Sequence, residues 1–521
     1  MNSPKSPRLR LLACLLAVAP SAQADWTDDI GYQKLKAELG AACPKGAGVK
    51  VTQVEARESS GGPYAPAAGT GSVAGAGNFI GQTFLLKSGT SGESAHALIV
   101  GNRIYGTYGT ATSVANVDVY EVNDWVGTGF LKEGSNNLPL AETSQVQNHS
   151  WIGFPDSGEE TIFKKILERV DYSINNADPT NRYLVCVGMN NYGGTIVPVL
   201  MATAFNVISV GLSDGTHSHG LTVSPYGGTG RSKPQIVAPS DATSFATGMV
   251  SGVGACLRGA ATTANGRRTE TLRAVMLAGA TKEQFPTWSR TTTQPIDTLY
   301  GAGQVNIYHS YKILSTAEQT SSPTTPVALN GWDLSTITNG STSDYVIVIP
   351  AALSGASLSA ALVWNSSIVP VVSLNLYNRQ PLPNLSLTLY KGTGNPGTQI
   401  DQSNSAVDNL EHLWQPSLTC GTYRIRISGD ATQSPDATLA WRVTAPAFSP
   451  TIAIGPAVPA QPIPLNFTHL VPTQAYLIET ATSLQSWTTA HSFTAASATF
   501  NWSAPAPSGP RHFYRLKWSC P

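Results

Sequence analysis

The 521-residue chain sets 32 lysines and arginines against 32 aspartates and glutamates, and only 12% of its residues are charged. A neutral chain with no basic stripe is unsuited to nucleic acid, and no stretch after residue 24 approaches the roughly 18 apolar residues of a membrane span. The length predicts about two to four domains, and 48 glycines with 35 prolines predict a turn-rich fold.

Residues 1–24 read as a signal peptide: Lys5, Arg8 and Arg10 precede an apolar run from Leu11 to Ala19, and Ala22-Gln-Ala24 supplies small residues for cleavage. The expected location is therefore secreted, extracellular or periplasmic. Cleavage leaves Cys43, Cys186, Cys256, Cys420 and Cys520. This sparse, odd set allows one or two bridges but no disulfide framework, and its spacing does not suit zinc.

From residue 25 to 315, buried strands alternate with helical periods, which predicts parallel βαβ units in a doubly wound α/β sheet. Gly48 to Ala56 reads as a strand ending on Glu55, at the strand end where ligands collect in open α/β sheets. Taken singly, Glu55 is also a plain strand-end charge. Ser94 to Gly101 begins a helix with His96 in its first turn, either an ordinary helix-terminal histidine or a general base. Strands are expected at 116–122, 145–152, 183–188 and 206–212, with helices over 162–174 and 270–278. His217-Ser-His219 reads as polar loop rather than metal site, because no further ligands accompany it. Trp151 suits either core or a substrate pocket.

The segment 233–254 runs from a loop containing Pro234 and Pro239 into Thr243-Ser244, followed by a helix with Phe245, Met249, Val253 and Leu257 on one expected buried face. At the mouth of a helix, Ser244 meets free N–H groups and the positive end of the dipole. The alternative is that Thr243 or Ser244 simply caps the helix.

Beyond residue 315 the pattern is all-β. A linker at 316–327 leads to a β-sandwich at 328–446, in which Tyr345, Ile347 and Ile349 alternate, as do Leu385, Leu387 and Leu389, and Tyr423, Ile425 and Ile427. A Pro-rich linker at 447–464 precedes a small β module at 465–521.

Together these strings resemble the subtilisin-like serine proteases (subtilases). Thr243-Ser244-Phe-Ala is similar to their serine segment, His96-Ala-Leu-Ile-Val-Gly to their histidine helix, and Val49 to Ala56 to their aspartate strand with Glu55 in the aspartate's place. Val187-Gly-Met-Asn190 resembles the strand end that carries their oxyanion asparagine, with Asn191 as the alternative donor. The stretch containing Ser150, Trp151 and Gly153 resembles their substrate-binding edge strand. The acid, histidine, serine order is also theirs, and 407–426 resembles a β-sandwich appended to many secreted members.

The resemblance implies acyl transfer on Ser244, with His96 as base, Glu55 as its orienting acid, and a protein or peptide as substrate. It implies no cofactor or metal for the chemistry; calcium often stabilises such folds, but no site for it is readable. The sequence departs from the family at Ala242, where glycine is usual, and at Gly248-Met249, where Pro-His is usual. These departures sustain an alternative, a catalytically inactive scaffold that binds peptides or cell-surface material. An esterase is disfavoured because Gly-x-Ser-x-Gly is missing around Ser244.

Overall fold

The computed structural model describes residues 25–67, 71–73, 78–154, 160–177, 182–194, 199–223, 228–430, 432–446, 450–456, 458, 460–506 and 511–519. The expected signal peptide and Cys520 lie outside them.

Strands β1 (Lys50–Glu55), β2 (Gly71–Val73), β3 (Gln82–Leu86), β4 (Asn116–Glu121), β5 (Val146–His149), β6 (Leu184–Gly188), β7 (Ile208–Leu212) and β8 (Ile236–Ala238) form one sheet in the order β8-β7-β6-β5-β1-β4-β3-β2. Seven of them run parallel, and β2 closes one edge antiparallel to β3. Every residue of β5, β6 and β7 is buried because both faces are covered. On one face Val51, Val117, Val146, Leu184, Cys186 and Ile208 share a core with the helices α1 (Ala95–Ile104), α3 (Thr243–Ala260), α4 (Thr269–Gly279) and α5 (Ile307–Leu314). On the other, Val54, Val185 and Val187 pack against Phe163, Ile166, Leu167 and Val170 of α2 (Glu160–Asn175). The expected α/β architecture is thus present as a seven-stranded parallel sheet between helical layers.

Helix α3 differs from the expectation of one buried face: every residue from Ala246 to Arg258 is buried. One side lies on β5, β6 and β7, and the other lies on α1. Small residues make that close passage possible. A Cβ at Gly248 would lie 3.0 Å from the Val100 carbonyl oxygen, and one at Gly252 would lie 2.6 Å from Thr110 Oγ1 and 3.2 Å from the Ile104 carbonyl oxygen.

The C-terminal part is all-β. A five-stranded sheet (Ser322–Pro326, Thr342–Ile349, Gly421–Ser428, Ser386–Lys391, Thr398–Ser403) faces a four-stranded sheet (Asn330–Thr336, Asp436–Thr444, Ala356–Trp364, Leu410–Leu418) across a core of Tyr345, Leu358, Leu387, Ile425 and Trp441. Ser322–Pro326, inside the segment read as a linker, is an edge strand, a position that tolerates proline. Two three-stranded sheets complete the chain around Leu465, Phe467, Tyr476 and Ile478, and one of them begins at Thr451–Ile454, inside the Pro-rich stretch.

Much of the outer face of the four-stranded sheet is covered by the helices. Trp332, Ala361, Val363, Leu410 and Ala440 belong to the same hydrophobic cluster as α3, α4 and α5. Polar ties cross the same boundary. Arg273 donates to the Phe205 carbonyl at 3.0 Å and to Asn365 Oδ1 at 3.1 Å, while Asn409 donates to the Phe205 carbonyl at 2.9 Å. Arg379 pairs with the fully buried Asp171 at 2.8 Å, and Asp171 also accepts from the N–H groups of Phe205 and Asn206.

Among the described residues Cys43, Cys186 and Cys256 are free and buried, whereas Cys420 is disulfide-bonded.

Alanine is normally a better helix residue than glycine by roughly 1 kcal/mol. At Gly252 the crowding against Thr110 and the Ile104 carbonyl reverses the sign, so Gly252→Ala is expected to lower stability by about 1–3 kcal/mol. Denaturant unfolding of the two proteins measures this.

Candidate active site

The site forms where β1, β5 and β6 end and α1 and α3 begin. Ser94 caps α1, its hydroxyl accepting from the Ala97 N–H at 3.2 Å, and this puts His96 in the first turn. Glu55 is the last residue of β1 and has no solvent exposure. Its Oε2 lies 2.8 Å from His96 Nδ1, while its Oε1 accepts from Gln53 Nε2 at 2.7 Å. A carboxylate can only accept here, so Nδ1 carries the proton and the Nε2 lone pair is left for chemistry.

A third of the His96 side chain is exposed. Burial, the largest influence on it, pushes the imidazole pKa down, but the Glu55 carboxylate and, farther off, Glu58 outweigh it, and the value is raised above the ordinary 6.5. Glu58 is held by the Ser94 hydroxyl at 2.9 Å.

Ser244 occupies the second position of α3. The N-cap is Ala242, which offers no side chain for capping, so neither Thr243 nor Ser244 is the cap. The first-turn N–H of Thr243 is instead satisfied by Asn191 Oδ1 at 2.7 Å, and that oxygen also accepts from the Thr243 hydroxyl at 2.6 Å. The Ser244 N–H has no hydrogen-bond partner among the described residues. It therefore presents an unsatisfied donor at a helix N-terminus, where negative charge is favoured.

The Ser244 hydroxyl donates to the Ser150 carbonyl at 3.3 Å, and among the described residues no hydrogen bond joins it to His96. Transfer of its proton to His96 thus requires rotation about the serine Cα–Cβ bond. The two helix starts are adjacent, with the His96 and Phe245 ring centroids 6.1 Å apart.

The end of β5 is tied to α3 by hydrogen bonds from Ser150 Oγ to the Ser244 carbonyl (2.9 Å), from Asn148 Nδ2 to Ser150 Oγ (2.9 Å) and from Ser251 Oγ to Asn148 Oδ1 (3.0 Å).

Several sequence expectations are refined by this geometry. Residues 150–153 extend past β5 without strand pairing, because the strand ends at His149. The Gly153 carbonyl is already engaged by the Leu200 N–H at 2.9 Å. Trp151 belongs to the core rather than to an open pocket: its side chain is buried and its indole N–H donates to His149 Nδ1 at 3.2 Å.

Asn190 and Asn191 are both near the site, but they differ in anchoring. The Asn190 main chain is bonded to Ser218 in both directions, whereas it is the Asn191 side chain that is fixed against Thr243. His217 is buried with both ring nitrogens engaged, by the Leu212 N–H and the Leu299 carbonyl, each at 3.0 Å. No group of three metal-ligating side chains occurs among the described residues.

Sequence reasoning missed Gln53 and Tyr105, whose hydroxyl donates to Gln53 Oε1. The available signal was two polar residues, Gln53 and Glu55, on one face of a buried strand.

The raised His96 value carries a sign. Work that needs neutral imidazole should fall off on the acid side of a limb above 6.5. Glu55→Gln removes the carboxylate but leaves the burial, so the limb should move down, while the rate falls by about 10³–10⁴ as a mis-set tautomer does elsewhere. A pH profile of Ser244 modification in both proteins measures this.

No family model and no curated protein sequence matches the chain. Among solved structures it is similar to tripeptidyl peptidase 2, at 10% identity and a TM-score of 0.29, over 82% of this chain and 52% of that one. It is also similar to the mitogen of Yersinia pseudotuberculosis, at 13% identity and a TM-score of 0.16, over 24% of this chain and 91% of that one. The chain thus spans about half the length of the peptidase, and no helix among the described residues is long and apolar enough to cross a membrane. The site itself gathers a buried carboxylate, an imidazole and a serine at the carboxyl edge of a parallel sheet.

Proposed function

We propose that the chain is an exported subtilisin-like serine endopeptidase acting on protein or peptide substrates. The observation that carries this reading is the 2.8 Å bond between the buried Glu55 carboxylate and His96 Nδ1, beside a serine at the mouth of α3.

In this mechanism Ser244 Oγ attacks the scissile carbonyl carbon as His96 Nε2 takes its proton. The imidazolium, stabilised by Glu55, returns the proton to the leaving amine. The resulting acyl ester on Ser244 is then hydrolysed by water, with His96 again as base. The tetrahedral oxyanion is stabilised by the Ser244 N–H and by an asparagine amide. The anchoring of Asn191 against Thr243 favours Asn191 over Asn190 for that role. The extended segment with Ser150, Trp151 and Gly153 would align substrate backbone through its unengaged main-chain groups, since the Trp151 side chain is buried and the Gly153 carbonyl is taken by the Leu200 N–H. The reaction as written uses no metal and no cofactor.

Treatment of the intact protein with a fluorophosphonate, followed by peptide mapping, is expected to modify Ser244 alone, and Ser244→Ala is expected to abolish the label. A folded protein left unmodified across a range of pH would overturn the reading in favour of a non-catalytic peptide-binding scaffold.

Asn191→Ala is expected to slow modification by about 10²–10³. Asn190→Ala should cost less than about tenfold, because a side chain off the transition state contributes little. The two variants are compared by their labelling rates.

A further inference from the structure

We infer that Gln53 and Tyr105 are positioning residues that lock Glu55 and the His96 helix at a fixed separation, and that this brace is why the acid is a glutamate. The inference rests on the proposed use of Glu55 and His96.

Gln53 and Glu55 are two residues apart on β1, so their side chains leave the same face of the strand. Neither has any exposure, nor does Tyr105, which follows the last turn of α1. The Gln53 amide nitrogen donates to Glu55 Oε1 at 2.7 Å and to the Ala97 carbonyl at 2.9 Å. Ala97 adjoins His96, so one amide group ties the acid on the strand to the helix that carries the base. The Gln53 oxygen accepts from the Tyr105 hydroxyl.

The direction of this relay is fixed. Burial holds the Tyr105 phenol well above its ordinary value of 10, so it remains a donor. The Glu55 carboxylate and the Ala97 carbonyl can only accept, so both amide hydrogens of Gln53 point to them and its oxygen is left to accept from the Tyr105 hydroxyl. Tyr105 is itself held in an aromatic group, with ring centroids 5.6 Å from Phe79 and 5.9 Å from Phe84. Room for the hydroxyl comes from Gly101: a Cβ there would lie 2.6 Å from Tyr105 Oη and 3.1 Å from Gln53 Oε1.

A carboxylate with both oxygens engaged must span the gap between His96 and Gln53. Aspartate would withdraw it by one bond, about 1.5 Å, and the two hydrogen bonds could not be kept together.

The test is saturation kinetics of fluorophosphonate labelling at Ser244 in the full chain. It compares the parent with Tyr105→Phe, Gln53→Met, Glu55→Asp and the pairings of each brace variant with Glu55→Asp. Tyr105→Phe and Gln53→Met are each expected to lower the maximal labelling rate roughly ten- to a hundredfold, with the half-saturating probe concentration unchanged. Glu55→Asp should cost a similar factor in the parent and much less once either brace residue is gone, because the residues act as one unit. A stability role alone would leave the effects additive or the rates of folded protein unchanged, and either result overturns the inference. Tyr105→Phe is nearly isosteric, so it carries the test where Gln53→Met does not fold. A parent protein that is not labelled at Ser244 removes the proposed function as well, which distinguishes the two failures.

Discussion

A carboxylate with no solvent exposure at the end of a central strand is the constraint on which the site depends. Stripping a charge of water costs several kcal/mol unless it is paired and its remaining lone pairs are filled. Glu55 has no lysine or arginine partner among the described residues. Its compensation comes from an imidazole N–H on one oxygen and an amide N–H on the other. Both donors must therefore be held in place, and the surrounding architecture does this. The Ser94 cap fixes the start of α1, the Gln53 amide ties that helix to β1, and the small residues of α3 let its N-terminus lie close by. The need to solvate one buried charge with protein groups thus fixes α1 against β1.

Much of this was legible in the chain. The strand ending on Glu55, the helix after Ser94 and the helix starting at Thr243 all have local signals: a short valine-rich run, apolar residues at helical spacing and a four-residue apolar repeat. What escaped was contact between distant segments. The tie from Asn191 to Thr243 spans 52 residues and the one from Tyr105 to Gln53 spans 52 as well. No periodicity reports such pairings. A motif at the end of β6 points to Asn190, yet which of two neighbouring asparagines is anchored depends on how the chain turns after Gly188. The two short strands at Ser322–Pro326 and Thr451–Ile454 were hidden for a different reason. Proline and serine signal a break, but an edge strand needs only half of its backbone groups paired.

The buried character of α3 shows how tertiary context overrides pattern. Its sequence carries one clear apolar stripe, but most of the remaining positions are glycine, alanine, serine and threonine. Small side chains read as indifferent in a periodicity analysis. In the fold they are the ones that allow a helix to be enclosed between a sheet and another helix, and so to bring its first turn, with Ser244, beside the start of α1.

The boundary between the α/β part and the β-sandwich has a consequence for how the chain is made. Phe205 and Asn206, which lead into β7, are held by residues on both sides of them in sequence: Asp171 and Arg273 from the first part, Ser366 and Asn409 from the second. As the chain emerges in order, all of β1 to β8 are available before the strand Asp436–Thr444 that covers α4. Until Arg379 arrives Asp171 lacks its guanidinium, and until that later strand arrives an apolar face of α4 lacks its cover. The part that bears Glu55, His96 and Ser244 therefore reaches its final packing only when the later part of the chain is present.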